Sequence, residues 1–173
     1  MSRLQTPCTW ALSIAVAGCA PTYDWREVHP DGAALIAMFP CRPQHLARRT
    51  DLAGMSLPMQ LHVCSSGNET LAVGFLDIDQ PTQVAGALLS LRTALAANFS
   101  ATQVQTSALR VPGMTPNPNA ALVSMRGVST QGVPILATAA FFAKGLRVYQ
   151  ATVFGTQVDP EVSETFIASL KLQ

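Results

Sequence analysis

The sequence has few charged residues and no long hydrophobic run, and both features restrict the class of protein. Aspartate, glutamate, lysine and arginine make up 12% of the 173 residues, about half of the roughly 25% that is usual. Hydrophobic residues make up 49%, so the chain can bury enough apolar surface to fold, which excludes intrinsic disorder. No segment approaches the roughly 20 apolar residues of a spanning helix, which excludes a multi-span membrane protein.

The chain also lacks an excess of charge of either sign and the common catalytic motifs. Its formal net charge is +1, whereas a nucleic-acid-binding domain is expected to be strongly basic. It contains no Gly-x-Ser-x-Gly nucleophile elbow, His-Glu-x-x-His helix, P-loop or dinucleotide-binding glycine fingerprint. We therefore predict no nucleic-acid partner, no cofactor, and no catalytic or metal-binding set of residues.

The first 20 residues have the order of a secretory signal. Met1–Thr6 carries one charge, Arg3, and an apolar run follows from Trp10 to Ala17. This run is too short to span a membrane permanently. It ends in Val16-Ala17-Gly18-Cys19, which resembles the lipobox of bacterial lipoproteins. The resemblance implies that residues 1–18 are a signal peptide, that cleavage occurs just before Cys19, and that the Cys19 sulfur carries a diacylglyceryl group.

Acylation of Cys19 would make the lipid bilayer the expected partner of this protein. Each buried methylene contributes about 0.8 kcal/mol, and the three chains typical of bacterial lipoproteins form an effectively permanent anchor. Ala20 stands where an aspartate would favour the inner membrane, so the resemblance implies the outer membrane of a Gram-negative bacterium, facing the periplasm. Ordinary signal cleavage after Ala17 stays open as an alternative, whereas Pro21 disfavours cleavage after Ala20.

Two of the four cysteines, Cys41 and Cys64, remain after signal removal and acylation. An even pair in an exported, oxidising compartment predicts a structural disulfide. Closing this loop would stabilise the fold by roughly 3 kcal/mol in the chain-entropy model. A metal site that also includes His45 and His62 is the alternative, but the chain has neither the Cys-x-x-Cys nor the His-x-x-x-His spacing of such sites.

The remaining chain is predicted to be a lipidated tether, residues 19–30, and a single α+β domain, residues 31–173. Residues 55–64 alternate between apolar and polar side chains, which indicates a half-buried strand, and Pro58 places it near a sheet edge. The other predicted strands are Leu35–Phe39, His45–Leu52, Glu69–Ile78, Gln103–Val111, Ala121–Thr130, Val133–Ala143 and Leu146–Phe154. The last two are apolar on both faces, so we expect them at the centre of the sheet.

Two helices are predicted between these strands. Asp79-Gln80-Pro81-Thr82 is a helix start in which Asp79 is expected to cap the helix. Apolar residues then recur at helical spacing, at Val84, Leu88, Leu91, Leu95 and Phe99. Asp159-Pro160-Glu161 starts the second helix, whose apolar stripe is Val162, Phe166 and Leu170. The predicted fold is α+β, with an antiparallel sheet of about six to seven strands and two main helices.

Several segments of this domain resemble a group of uncharacterised proteobacterial lipoproteins. They are Met38–Pro43, Phe141-Phe142, Val148–Ala151 and Phe166–Lys171. The order of elements is similar to that of the Mog1/PsbP-like α/β/α sandwich. The resemblance covers most of residues 30–173 and implies this sandwich fold, but it carries over no functional residue.

A few polar residues are candidates for chemistry. Asp77 and Asp79 lie two apart at a strand end, where a carboxylate pair can bind cations or share acid and base roles, but a solvated Asp77 beside a capping Asp79 is the expected arrangement. The histidines at positions 29, 45 and 62 are scattered, and Arg48-Arg49 with Asp51 indicates an exposed strand face. The proline-rich loop Pro112–Asn119 is either a binding loop or a stiff crossover.

Two classes of function follow from these observations. The first is a non-enzymatic module that binds a protein, a peptide or an envelope component in the periplasm. The second is a small hydrolase whose site is assembled from distant residues, such as Asp77, His62 and a serine. Convergence of these side chains in one cleft would favour the hydrolase, and their separation would favour the binding module.

Overall fold

The computed structural model describes residues 23–52 and 54–173. The predicted signal peptide, the lipobox and Cys19 lie outside these residues. In the described part of the chain, three strands form a small sheet and seven form a large one. The small sheet contains β1 (Arg26–Val28), β2 (Leu35–Phe39) and β10 (Lys171–Leu172). The large sheet contains β3 (Gln44–Leu52), β4 (Met55–Ser66), β5 (Glu69–Asp77), β6 (Gln103–Ser107), β7 (Ala121–Val128), β8 (Pro134–Lys144) and β9 (Arg147–Gly155).

All strand pairs in both sheets are antiparallel, which confirms the predicted α+β class. The large sheet has the order β3-β4-β5-β9-β8-β7-β6, so β9 is its central strand and β8 lies beside it, as their apolar faces predict. Each predicted strand is present, although β6 ends at Ser107 and the first predicted strand belongs to the small sheet. The strands β1 and β10 were not predicted, because segments of three and two residues carry no readable alternation.

The prediction that Pro58 marks a sheet edge holds for only part of its strand. β4 is the second strand of the large sheet and pairs with β3 along its whole length. Its pairing with β5 begins only at Gln60, so Pro58 lies in a section with a neighbour on one side. Proline has no N–H to donate, and a section that lacks a second neighbour tolerates this.

Two helices complete the described fold: α1 (Val84–Asn98), which follows a short 3-10 turn at Pro81–Gln83, and α2 (Pro160–Ala168). α1 packs on one face of the large sheet, and α2 and the small sheet pack on the other. On the α2 side, Phe39 and Phe166 meet edge to face with ring centroids 5.2 Å apart, and neither is exposed to solvent. The result is three layers with one hydrophobic core on each side of the large sheet.

The two helix starts differ in how well the sequence predicted them. Pro160 occupies the first turn of α2, and the carboxylate of Asp159 accepts a hydrogen bond of 2.9 Å from the Glu161 N–H, as predicted. Asp79 does not cap the other helix, so that prediction was wrong. Proline favours the first helical position, so Pro81 makes Gln80 the capping residue of the 3-10 turn that precedes α1. Gln83 is the residue before α1, and neither glutamine forms a side-chain capping bond.

Residues 23–30, the last part of the predicted tether, are joined to the folded domain. β1 pairs with β2, and the Asp24 N–H donates to the Pro40 carbonyl over 3.0 Å. A disulfide joins Cys41 to Cys64, whose Cα atoms are 5.9 Å apart. Neither helix within residues 23–52 and 54–173 has the length and apolarity that a membrane crossing requires.

Candidate functional site

A groove of about 830 Å³ lies between α2 and the strands β6, β7 and β8. The small sheet and α2 bury the middle of this face of the large sheet, whereas every residue of β6 is exposed. α2 therefore forms one wall of a groove whose other wall is the part of the large sheet near β6 that the small sheet leaves exposed. We refer to this surface as the α2 groove; its walls include Gln103, Gln105, Arg110, Leu122, Ser124, Arg126, Leu136, Thr138, Val158, Ser163, Glu164 and Ile167.

The strand period and the helix period together place both apolar and polar side chains in the α2 groove. Leu122, Ser124 and Arg126 follow one another at intervals of two along β7, so they share one face of the strand. On α2, Ser163 and Ile167 are four residues apart and lie on one side of the helix. The groove can therefore contact an apolar group and offer hydrogen bonds to the same ligand.

Ser163 differs from the other residues named in the α2 groove because its side-chain hydroxyl is buried and unpartnered within the described residues. It is 7% exposed, and its hydroxyl has no hydrogen-bond partner among the described residues. A buried polar group without a partner costs about 1–3 kcal/mol, so most buried hydroxyls in proteins are paired. The Ser163 hydroxyl therefore has hydrogen-bonding capacity that the described residues leave unused.

The charges of the α2 groove come from Arg110, Arg126 and Glu164, which are all exposed. None of the ion pairs found among residues 23–52 and 54–173 includes them. Two guanidinium groups and one carboxylate line the groove, so their formal charges sum to +1, and neither guanidinium is ion-paired with Glu164. This arrangement favours an anionic group on the ligand.

His62, a candidate of the hydrolase hypothesis, lies in a different place. It is 5% exposed, its ring centroid is 5.0 Å from that of His45, and it stacks on Phe75 at 6.3 Å. Burial lowers the pKa of His62, and the neighbouring His45 lowers it further, although the backbone of Asp31 opposes this. Its Nε2 atom has no partner within the described residues, so it is not bonded to a serine hydroxyl, as the base of a serine–histidine pair would be.

Asp77, the second hydrolase candidate, is held by an arginine. The Arg147 guanidinium donates to both carboxylate oxygens of Asp77, over 2.6 and 2.8 Å, and lies 5.1 Å from the centre of the Phe75 ring. Ser163 belongs to the α2 groove, whereas His62 contacts β3 and β5. The structure therefore does not connect Asp77, His62 and this buried serine into one catalytic set.

The Asp77–Arg147 pair predicts a small pH dependence of stability. The hydrogen bonds from Arg147 lower the pKa of Asp77, and partial burial opposes this. A lowered pKa in the folded state stabilises the protein above the unfolded value of about 3.9, and this contribution disappears as the pH falls below about 4. Because Asp77 is 65% exposed, we expect Asp77→Asn to cost at most about 1 kcal/mol at neutral pH.

Urea unfolding of the wild type and Asp77→Asn at neutral pH and at about pH 2 tests this prediction. The difference in unfolding free energy between the two proteins should shrink towards zero at the acidic pH. The matched control is Asp79→Asn, because Asp79 is exposed and belongs to none of the ion pairs found in the described residues. A difference that grows on acidification would contradict the assigned sign.

Glu69 is a buried carboxylate that the sequence analysis missed. It is 4% exposed, and its two oxygens accept hydrogen bonds from the Tyr23 hydroxyl, over 3.2 Å, and from the Asp159 N–H. Burial raises the pKa of Tyr23, and the charges of Glu69 and Asp159 raise it further. Glu69 therefore ties the start of the described chain to the start of α2, through contacts 46 and 90 residues apart in sequence.

The other candidates have structural roles or lie at the surface. In the loop Pro112–Asn119, the Thr115 N–H donates to the Ala143 carbonyl and the Asn119 side chain donates to the Ala85 carbonyl, both over 2.8 Å. These bonds fasten the loop to β8 and α1, which favours the crossover interpretation. Arg49 bonds to Ser56 on the neighbouring strand. Over the described ranges, no group of three or more His, Cys, Asp or Glu residues is placed to hold a metal ion.

No protein-family model matches this chain, and no curated protein matches its sequence. The α2 groove was not predictable from the sequence, because its walls come from segments that are adjacent only after folding. The spacing of Ser163 and Ile167 on α2 was visible in the sequence, but the strands that they face were not.

Proposed function

We propose that this protein is a lipid-anchored binding module of the Gram-negative outer membrane that faces the periplasm and holds its ligand in the α2 groove. The observation that carries the binding role is the α2 groove itself, a volume of about 830 Å³ that combines apolar walls with Arg110 and Arg126, neither of which belongs to an ion pair found in the described residues. Ligand-binding clefts typically have volumes of about 300–1,000 Å³ and combine apolar walls with a few polar groups.

Three observations support the anchor and the compartment. Val16-Ala17-Gly18-Cys19 resembles a lipobox and follows a short apolar run. The Cys41–Cys64 disulfide is typical of exported proteins, since the cytosol keeps thiols reduced. The resemblance to uncharacterised proteobacterial lipoproteins with a Mog1/PsbP-like sandwich implies an α+β fold, which is the class of fold that this chain has.

Metabolic labelling tests the anchor. Cells that express the full chain are grown with an alkyne analogue of palmitate, and the protein is then partitioned between detergent and aqueous phases. We expect the wild type to incorporate the label and enter the detergent phase, and Cys19→Ser to do neither. Cys8→Ser is the matched control, because it removes a cysteine from the predicted signal peptide and should not affect labelling. Equal labelling of Cys19→Ser would refute acylation at this residue.

Thermal unfolding tests the binding role without naming the ligand. An extract of small molecules from the cell envelope should raise the unfolding temperature of the full protein, because a ligand at 100 times its Kd stabilises the folded state by about 2.7 kcal/mol. Ile167→Trp should remove the effect by filling the groove. Leu146→Trp adds the same side chain at an exposed position of the β8–β9 turn and should retain it. Equal responses of the two variants would exclude the α2 groove as the binding site.

A further inference from the structure

The α2 groove lies beside the point where the chain from Cys19 joins the domain. Tyr23 bonds to Glu69, which also accepts the Asp159 N–H. These three residues line a second cavity, of about 460 Å³, and Val158 lines both this cavity and the α2 groove. One end of the groove therefore adjoins the attachment point of Tyr23.

This attachment limits the distance between the groove and the membrane. Tyr23 follows Cys19 by four residues, and an extended chain advances by at most about 3.6 Å per residue, so the two Cα atoms are at most about 14 Å apart. With Cys19 acylated, which is part of the proposed function, the start of α2 lies close to the bilayer surface. A molecule that leaves the periplasm-facing leaflet of this bilayer would reach the groove over a short path.

The side chains of the groove match a ligand with an apolar chain and a negative head. Leu122, Leu136, Val158 and Ile167 are half-buried and present apolar surface. At the groove, Arg110 and Arg126 are exposed and take part in none of the ion pairs of the described residues. A guanidinium group binds carboxylate or phosphate through two parallel hydrogen bonds, so two such groups at one groove suit an anionic head.

From this arrangement we propose that the α2 groove binds a single-chain anionic lipid taken from the adjacent membrane. The acyl chain lies on Leu122, Leu136 and Ile167, and the head group bonds to Arg126 and Arg110. This inference rests on the proposed function and narrows it by giving the class of ligand. It also accounts for the position of the groove beside Tyr23, which a ligand free in the periplasm would not require.

Photolabelling tests the proposal on the full lipoprotein. The protein is purified from membranes, reconstituted into vesicles of neutral phosphatidylcholine, and irradiated with palmitic acid that carries a diazirine in its chain. Labelled peptides are then identified by mass spectrometry. We expect the label in residues 121–138 and 158–168, which contain the apolar walls of the groove. Label spread evenly over the surface would overturn the proposal.

Variants of the protein separate recognition of the lipid's acyl chain from recognition of its head group. Ile167→Trp should abolish most of the groove label, and Leu146→Trp, outside the groove, should not. Arg126→Gln should raise the palmitate concentration for half-maximal labelling about tenfold, the effect of one lost bond to a charged group. Its matched control is Arg48→Gln, which removes an exposed arginine of β3. Equal effects of Arg126→Gln and Arg48→Gln would overturn the role of Arg126.

Competition identifies the class of ligand. Unlabelled palmitate or a lysophospholipid with a phosphate head should displace the probe, and hexadecanol, which lacks the charge, should displace it poorly. Displacement by an acidic peptide but by neither lipid would overturn the proposal in favour of a peptide site. Flotation of the protein with the vesicles reports the anchor separately. A protein that floats without groove labelling contradicts the ligand class alone, and one that labels without floating contradicts the anchor alone.

Discussion

Replacing Phe166 by alanine is expected to lower the free energy of unfolding by about 3–5 kcal/mol, the usual cost of removing a buried aromatic side chain. Phe166 has no exposed surface and contacts Phe39 of the small sheet edge to face, with ring centroids 5.2 Å apart. It belongs to the core that joins α2 to the large sheet. Its truncation leaves a cavity between the two sheets, and the surrounding backbone can close this cavity only in part.

Urea unfolding followed by circular dichroism measures this effect on the purified protein. The matched control is Glu164→Ala, two residues away on α2 and exposed, which should change the free energy by about 0.5 kcal/mol or less. Because Phe166 holds the helix that forms one wall of the α2 groove, the same variant should also bind ligand more weakly. A loss of stability below about 1 kcal/mol would show that α2 is anchored by other contacts.

Local patterns in the sequence predicted most of the elements of this fold. Alternation over residues 55–64 predicted β4, and the two-sided apolar composition of β8 and β9 predicted their central position. The start of α2 was predicted from Asp159 and Pro160, because capping depends on neighbouring residues alone. The same rule explains the error at Asp79: a proline at position 81 places the cap at residue 80, and the sequence already contained this information.

The functional surface was not predictable in the same way, because it depends on which strands become neighbours. Asp77 and Arg147 are 70 residues apart, and they meet only because β5 pairs with β9. Glu69 follows a turn in the sequence, and nothing in its neighbours indicates that it is buried against Tyr23 and Asp159. The α2 groove combines segments from four elements, and its shape follows from the part of the sheet that α2 and the small sheet leave uncovered.

Removal of the Cys41–Cys64 disulfide is expected to cost roughly 3 kcal/mol, because the bond restricts the unfolded chain across a sequence separation of 23 residues. The bond connects the segment that leaves β2 of the small sheet to β4 of the large one. Cys64 is 2% exposed, so alanine is the suitable replacement: a serine there would add a buried hydroxyl and confuse the result. The variant is therefore Cys41→Ala together with Cys64→Ala.

Comparison of oxidised and reduced samples isolates the contribution of the covalent bond from that of packing. In urea, a thiol reductant should destabilise the wild type by roughly 3 kcal/mol, and it should leave the double variant unchanged. The small loss that remains between the reduced wild type and the double variant then measures the packing of the two sulfur atoms. If the reductant destabilised both proteins equally, the effect would not come from this disulfide. If it affected neither, the bond would not contribute to stability, and the disulfide would no longer support an exported, oxidising location for this domain.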